Sequence, residues 1–211
     1  MRLLILGATG RTGAQLLRLG RERGHQLTAF VRSPHKLIER PDGLHVVTGD
    51  PLDPVQLAAA LAGHDAVLSA LGPPPREAFQ SSTLMKRAAS STVAAMARAE
   101  VARLAVVSAA VLFPTRGAYF AFFRWLLRNH ARDLRAMEQV IRDSQVDWTI
   151  ARPPRLVDSG PGHYTSRSGE LPQGARVMTY RALAAFMLDS VEQRSHRQEV
   201  VGLGPQRQVA T

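Results

Sequence analysis

The stretch RLLILGATGRTG, residues 2–13, decides the fold. Its apolar half, residues 2–6, is typical of a buried strand, and residues 12–23 carry leucines at helical spacing. Gly7, Gly10 and Gly13 lie at the junction, where the first glycine permits a tight turn, the second lets a pyrophosphate approach and the third lets the helix pack on the strand. A glycine turn between a strand and a helix predicts a dinucleotide site.

The same turn supplies polar groups to that site. The first N–H groups of a helix have no partners within it, and the helix dipole favours an anion there. Hydroxyl and guanidinium groups of the turn can add further hydrogen bonds to the phosphates. The predicted phosphate-binding residues are Gly7, Thr9, Gly10, Arg11, Thr12 and Gly13.

Beyond the turn, short apolar segments alternate with longer helical patterns. Strands are predicted at residues 26–31, 45–48, 66–70, 104–108, 148–152, 176–178 and 199–202, and helices at 54–62, 81–98, 133–144 and 181–191. This alternation predicts one α/β domain over residues 1–211, a Rossmann fold with a doubly wound parallel sheet and helices on both faces. Substrate or lid elements are expected at about residues 110–130 and 155–178, with residues 158–174 as a surface loop.

The end of the second predicted strand indicates which cofactor is bound. Arg32 stands where proteins that prefer NAD usually have an acidic residue for the ribose 2′-hydroxyl. A guanidinium suits a 2′-phosphate instead, and Ser33 and Lys36 can assist it. The sequence therefore predicts NADP(H), with NAD(H) bound more weakly.

Two further strand ends complete the predicted cofactor site. Asp50 and Leu52 follow the third strand, where the Asp50 carboxylate can accept from an adenine amino group or, equally, cap the helix that begins at Pro54. Small residues after the fourth strand let a dinucleotide lie against the backbone, and these are Ala70, Leu71 and Gly72.

Composition restricts the partners and the compartment. The chain has 211 residues, 45% of them hydrophobic, and no cysteine, so disulfides and thiolate metal sites are excluded and no metal site is expected. The formal net charge is +10, but the basic residues are scattered and form no tail, which does not favour nucleic-acid binding. No segment has the length of a membrane span or of a signal-peptide core, which predicts a cytoplasmic protein.

The acid–base pair of a typical short-chain dehydrogenase is missing. That pair is Tyr-x-x-x-Lys, in which the lysine lowers the pKa of the tyrosine. The residues four positions after Tyr119, Tyr164 and Tyr180 are a phenylalanine, a serine and an alanine. Any redox chemistry must therefore proceed without this pair.

The motifs GATGRTG, VRSPHKL, VVTGDPLD, AVLSALG, LAVVSAAVLF and DWTIARPP together resemble the atypical short-chain dehydrogenase/reductase family. The resemblance covers nearly the whole chain and is strongest to NAD(P)H-binding proteins similar to biliverdin-IXβ/flavin reductase and to NmrA-like proteins. It implies that Ser108 contacts the nicotinamide or the acceptor as an orienting hydrogen-bond donor, and that Pro153 borders the cofactor. A histidine often follows the proline pair in the flavin-reductase branch, whereas this chain has Arg155.

The family pattern also bears on the missing pair. A glutamate often follows the family's lysine by four residues, and if Glu138 is that glutamate, His130 and Leu134 occupy the tyrosine and lysine positions. His130 is then either a proton carrier or an ordinary helix-surface histidine.

Three functions are compatible with these features. The first is an NAD(P)H-dependent oxidoreductase that passes hydride to a flavin-like or other planar acceptor, where proximity supplies most of the catalysis. The second is a non-catalytic, NmrA-like NADP(H) redox sensor, and the third a sugar-nucleotide epimerase or dehydratase, which the missing Tyr/Lys pair disfavours. The aromatic segment 119–127 is interpreted as a core helix, a wall of the acceptor pocket or a homodimer contact.

Overall fold

The computed structural model describes residues 1–72, 83–114 and 128–206. The strands are β1 (Arg2–Leu6), β2 (Gln26–Val31), β3 (His45–Thr48), β4 (Ala66–Ser69), β5 (Arg103–Val107), β6 (Asp147–Arg152), β7 (Arg155–Val157), β8 (Tyr164–Ser168), β9 (Val177–Thr179) and β10 (Glu199–Pro205). The α-helices are α1 (Arg11–Glu22), α2 (Pro54–Leu61), α3 (Leu84–Arg98), α4 (Arg128–Arg142) and α5 (Tyr180–Glu192). Short 3₁₀ turns occupy Pro34–Lys36 and Ala110–Leu112.

Eight strands form one sheet in the order β3-β2-β1-β4-β5-β6-β10-β8. All neighbours are parallel except β8, which pairs antiparallel with β10 at the edge. The strand order reverses between β1 and β4, and in such sheets ligands bind in the crevice at the carboxyl ends of the strands on either side of this point. The predicted Rossmann fold is therefore confirmed.

The core consists of two apolar layers, one on each face of the sheet. Leucines of α1 pack with α5 on one face, as at Leu16 and Leu183, which are fully buried. On the other face α2, α3 and α4 contribute residues such as Leu57, Met96 and Met137. Strands covered on both faces read as continuous apolar runs, which is why β1 and β4 are recognisable from sequence alone.

One segment differs from the sequence prediction. Residues 158–174 were expected to form a surface loop, but residues 164–168 form the edge strand β8. Its sequence, Tyr-Thr-Ser-Arg-Ser, has no apolar alternation because an edge strand exposes most of its side chains. Tyr164 anchors it: its hydroxyl donates to Asp189 Oδ2 at 2.6 Å, and burial together with this bond raises the tyrosine's pKa.

Several element boundaries also differ from the prediction. The helix predicted at residues 133–144 begins earlier, at Arg128, and the last strand extends to Pro205. The strand β7 follows the proline pair directly and pairs with β9 in a separate two-stranded sheet. Thr179 caps α5, because its Oγ1 accepts from the Ala182 N–H at 3.0 Å. The aromatic segment 119–127 and residues 81–82 lie outside the described residues.

The first turn of α3 is capped from another helix. Thr83 precedes α3 and makes no side-chain cap bond. Instead the buried carboxylate of Asp133, on α4, accepts from the backbone N–H groups of Met85 and Lys86, each at 3.0 Å. A carboxylate at a helix N-terminus is favoured both by these bonds and by the helix dipole.

We expect Asp133→Ala to destabilise the protein by about 1–3 kcal/mol, because one buried and one partly buried N–H group lose a charged acceptor. The matched control is Asp143→Ala, since Asp143 is an exposed acidic residue just beyond α4. A surface change of that kind should stay within about 0.5 kcal/mol. Urea unfolding of both variants measures the difference, and equal stabilities would contradict the role given to Asp133.

Candidate functional site

A groove of about 520 Å³ lies at the carboxyl ends of β1, β2 and β4, where the strand order reverses. Its size is within the usual range of small-molecule sites. Ten of the predicted cofactor residues line it, and these are Gly7, Thr9, Gly10, Arg32, Lys36, Asp50, Leu52, Ala70, Leu71 and Gly72. The structure thus brings together predicted residues from four separate segments of the chain.

The three glycines of the turn are constrained in different ways. A Cβ on Gly7 would lie 2.4 Å from the Ala70 carbonyl oxygen, and a Cβ on Gly13 would lie 2.2 Å from the Gly7 carbonyl oxygen. These two glycines are required by the packing of the protein itself. A Cβ on Gly10 would meet only the Gly7 carbonyl oxygen, at 3.3 Å. The backbone at Gly10 is extended, with φ −91° and ψ 169°, which any residue can adopt.

Gly10 is therefore a position where a side chain would enter the groove, with one tight contact to the Gly7 carbonyl oxygen in place of the collisions found at Gly7 and Gly13. The residue is exposed, lies at the start of α1 and lines the groove. Because Gly10 has no side chain, the groove is open at this point, as the close approach of a pyrophosphate to the backbone requires. The residues present fit a dinucleotide at this point.

The other predicted residues of the turn do not line the groove. Thr12 is buried, and Gly13 packs against the turn. Arg11 is exposed, and its Nη1 donates to Asp158 Oδ2 at 2.9 Å while its guanidinium lies 5.0 Å from the centre of the Tyr180 ring. Arg11 thus connects the phosphate turn to the segment that follows β7.

The basic end of the groove is formed by the segment after β2. Arg32 and Lys36 are exposed and line the groove, whereas Ser33 is half-buried and does not line it. The Ser33 carbonyl accepts from the Lys36 N–H at 3.0 Å in the 3₁₀ turn. Arg40 Nη2 donates to the Pro34 carbonyl at 2.5 Å and so helps to hold this turn in place.

The two alternatives for Asp50 are resolved by its neighbour Asp53. The carboxylate of Asp53 caps α2, accepting from the Val55 and Gln56 N–H groups at 2.8 and 3.2 Å. Those backbone bonds, chiefly the one from Gln56, lower the pKa of Asp53. Asp50 is not the cap: it lines the groove, and its Oδ1 accepts from the Leu52 N–H at 3.0 Å. Asp50 and Asp53 are only three positions apart, and the sequence alone did not show which of them caps α2.

The sequence prediction missed one wall of the groove. Leu84, Met85 and Ala88 of α3 line it, and so does Phe30, near the end of β2. A planar adenine ring needs an apolar surface of this kind. The helical pattern predicted α3 but not which of its faces borders the groove, because that face depends on how Asp133 holds the first turn.

Ser108 lies just past the end of β5 and is 6% exposed. Its Oγ donates to Glu138 Oε1 at 2.6 Å. The same carboxylate accepts from Arg152 Nε at 2.9 Å, from Arg152 Nη2 at 2.6 Å and from Arg142 Nη2 at 3.2 Å. We call these four residues the Glu138 cluster. The Arg152 guanidinium also lies 4.6 Å from the centre of the buried Phe113 ring.

The Glu138 cluster bears on the hydrogen-bond donor role expected for Ser108. The resemblance implied an orienting donor, but the hydroxyl proton is directed at Glu138. Neither Ser108 nor Pro153 lines the groove formed by the described residues, although Pro153 is buried nearby and its carbonyl accepts from the Ala110 N–H at 2.9 Å. The Glu138–Arg152 ion pair was not predicted, because nothing in the spacing of residues 138 and 152 shows that they meet.

His130 is not part of the cluster. It lies on the same face of α4 as Glu138, eight residues earlier, which corresponds to about 12 Å along the helix. Burial lowers the pKa of the His130 imidazole, which favours the neutral form of the ring. The two alternatives for His130, proton carrier or ordinary helix residue, both remain compatible with this position.

The geometry defines the protein as a Rossmann-fold protein whose groove fits a dinucleotide. The chain belongs to the NAD(P)H-binding family, whose model matches residues 7–194. Among the described residues, no helix is long and apolar enough to cross a bilayer.

Several solved structures share the fold over nearly the whole chain. The oxidoreductase ylbE from Lactococcus lactis has a TM-score of 0.83 and 20% identity, covering 98% of this chain and 92% of that one. A Streptococcus pneumoniae protein, SP1627, provisionally named an NADH-flavin reductase, has a TM-score of 0.77 and 20% identity, covering 98% and 100%. A short-chain dehydrogenase/reductase from Veillonella parvula, solved in complex with NADP, has a TM-score of 0.73 and 20% identity, covering 96% and 94%.

The role of Gly10 can be tested directly. We expect Gly10→Val to abolish dinucleotide binding and leave the fold intact, because the side chain would occupy the space of the pyrophosphate. Gly13→Ala is the contrasting variant: its Cβ would collide with the backbone, so it should lose stability as well as binding. Cofactor titration by fluorescence and thermal unfolding of both variants distinguish these effects. Unchanged binding by the Gly10→Val variant would contradict the assignment of the groove.

The ion pair of the Glu138 cluster allows a second test. Glu138→Ala should destabilise the protein by about 3–5 kcal/mol, because it leaves the buried Arg152 without its partner. Replacing both residues by apolar ones, as in Glu138→Leu with Arg152→Met, should recover much of that loss. The control is Glu170→Ala, which removes an exposed partner of Arg167. Denaturant unfolding gives all three values, and similar effects for Glu138→Ala and Glu170→Ala would contradict the structural role of the pair.

Proposed function

We propose that this protein is an NADP(H)-dependent oxidoreductase that passes hydride to a flavin-like or other planar acceptor. The observation that carries the proposal is the groove, in which Gly10 leaves room for a pyrophosphate and Arg32 and Lys36 lie where a ribose 2′-phosphate would be. The presence of NADP in one structural relative and the flavin-reductase name of another support it.

The residues present fit this cofactor in a defined order along the groove. The phosphate turn and the N-terminus of α1 would hold the pyrophosphate, and the wall formed by Leu84, Met85 and Ala88 would cover the adenine. Arg32 and Lys36 would hold the 2′-phosphate. When bound, the cofactor supplies the hydride.

The polar groups near the end of β5 favour a planar acceptor over a carbonyl. A carbonyl that receives hydride becomes an alkoxide and needs a proton donor nearby. The sequence has no Tyr-x-x-x-Lys pair, and the hydroxyl proton of Ser108 is already donated to Glu138. A stacked planar acceptor can instead take its proton from water, so that proximity and orientation supply most of the catalysis.

Oxidation of NADPH tests the proposal. The purified protein is mixed with NADPH and a series of acceptors, namely FMN, a quinone and a simple ketone, and the absorbance of NADPH is followed with the Gly10→Val variant as the control. We expect turnover with the planar acceptors and not with the ketone. Tight cofactor binding without turnover of any acceptor would favour the NADP(H) sensor, and absence of binding would contradict both functions.

The basic end of the groove predicts a preference for NADPH over NADH. One charged hydrogen bond contributes about 1.5–3 kcal/mol, so Arg32 should favour NADPH over NADH by roughly tenfold to a hundredfold. Arg32→Ala should weaken NADPH binding by that factor and leave NADH nearly unchanged, since only NADPH carries the 2′-phosphate. The matched control is Arg18→Ala, an exposed arginine of α1 that is ion-paired with Glu22.

Dissociation constants for both cofactors, measured on the wild type and the two variants, decide this point. Because Arg32 is exposed, the preference should also shrink as salt is added. Equal affinities of the wild type for NADPH and NADH would contradict the role of Arg32.

A further inference from the structure

Ser108 is placed by the sheet beside the groove. In the register of β4 and β5, Ser69 pairs with Val106. This is the last pair of the two strands, and the same register continued by two residues would align Ser108 with Leu71, which lines the groove. A ring that extends along the groove toward β5 therefore reaches Ser108 next.

The direction of the Ser108 hydroxyl is fixed by Glu138. The carboxylate is paired with two guanidinium groups and can only accept hydrogen bonds, so at 2.6 Å the proton must come from Ser108. A carboxylate offers about four acceptor positions. All four are used here, by Ser108, by two nitrogens of Arg152 and by Arg142. The carboxylate is therefore held on both sides and cannot turn away from the serine.

From this geometry we infer that Ser108 acts as a hydrogen-bond acceptor toward the bound ring and recognises an amide or imide N–H. The hydroxyl has one proton, which is committed to Glu138, and two lone pairs, which are its only remaining capacity. Glu138 is a positioning residue, because it acts on the ligand through Ser108. The inference rests on the proposed function, and it reverses the donor role implied by the family resemblance.

Two ligands at this site can supply such an N–H. One is the carboxamide of the nicotinamide ring, and the other is the imide of a planar acceptor such as a flavin. The chemistry recognised is the same in both cases. A ligand that offers only a carbonyl at this point would leave the Ser108 lone pairs facing another acceptor, or would break the bond to Glu138.

The first arm of the test uses the cofactor. Binding of NADPH is compared with that of its acetylpyridine analogue, which keeps the carbonyl but has a methyl group in place of the amide nitrogen. If the cofactor supplies the N–H, Ser108→Ala weakens NADPH binding by about three- to tenfold, the effect of one neutral hydrogen bond, and leaves the analogue unchanged. This arm needs no turnover.

The second arm uses the acceptor. Steady-state kinetics compare a flavin with the same flavin methylated at its imide nitrogen. If the acceptor supplies the N–H, Ser108→Ala lowers kcat/KM for the unmethylated flavin by a similar factor and has no effect with the methylated one. Ser91→Ala serves as the control in both arms, because Ser91 is also a buried serine but its hydroxyl has no partner among the described residues. Thermal unfolding verifies that both variants are folded.

The outcomes of the two arms distinguish a failure of the Ser108 inference from a failure of the proposed function. A loss confined to the N–H ligand in either arm supports the inference and identifies its source. An equal loss with both members of each pair shows that Ser108 donates to the carbonyl, and no loss in either arm shows that it does not touch the ring; each result overturns the inference while the proposed function stands. A wild-type protein that does not bind NADPH overturns the proposed function itself.

Discussion

The structure depends on how closely the phosphate turn approaches the neighbouring strand. The turn that leaves β1 passes so near the carbonyl of Ala70 that Gly7 has no room for a side chain, and α1 then packs on the turn at Gly13 with equal closeness. These contacts put the N-terminus of α1 directly over the point where the strand order reverses. A wider turn would move the helix N–H groups away from the crevice and remove the cradle at Gly10.

Most of the fold was predictable because the strands are covered on both faces. β1 and β4 are largely apolar runs. The glycine turn after β1 identifies this strand as the one that leads into the dinucleotide site. The edge strand β8 was not predictable, since its exposed side chains carry no apolar pattern and its position depends on pairing with β10. Local sequence patterns predict the elements whose apolar residues are buried in the core. They do not predict an element such as β8, whose place depends on pairing with another strand.

The same distinction applies to the candidate site. Arg32 and Asp50 stand at strand ends, and parallel strands bring their carboxyl ends to one edge, so their convergence on the groove follows from the topology. The Glu138 cluster depends instead on side chains from β5, α4 and β6 that meet only after packing. Sequence reasoning found Ser108 but not its partner Glu138, and the direction in which a hydroxyl donates is set by such a partner and not by sequence position.

The cap that Asp133 provides to α3 also has a consequence for the assembly of the groove. Asp133 and Met85 are 48 residues apart in sequence, so the first turn of α3 obtains this acceptor only after α4 has docked. Bringing two such distant residues together costs loop-closure entropy, which local helix contacts do not. Leu84 and Met85, which wall the groove, are in that turn. The binding surface is therefore complete only when α4 is docked, because the capping residue belongs to a helix that does not itself line the groove.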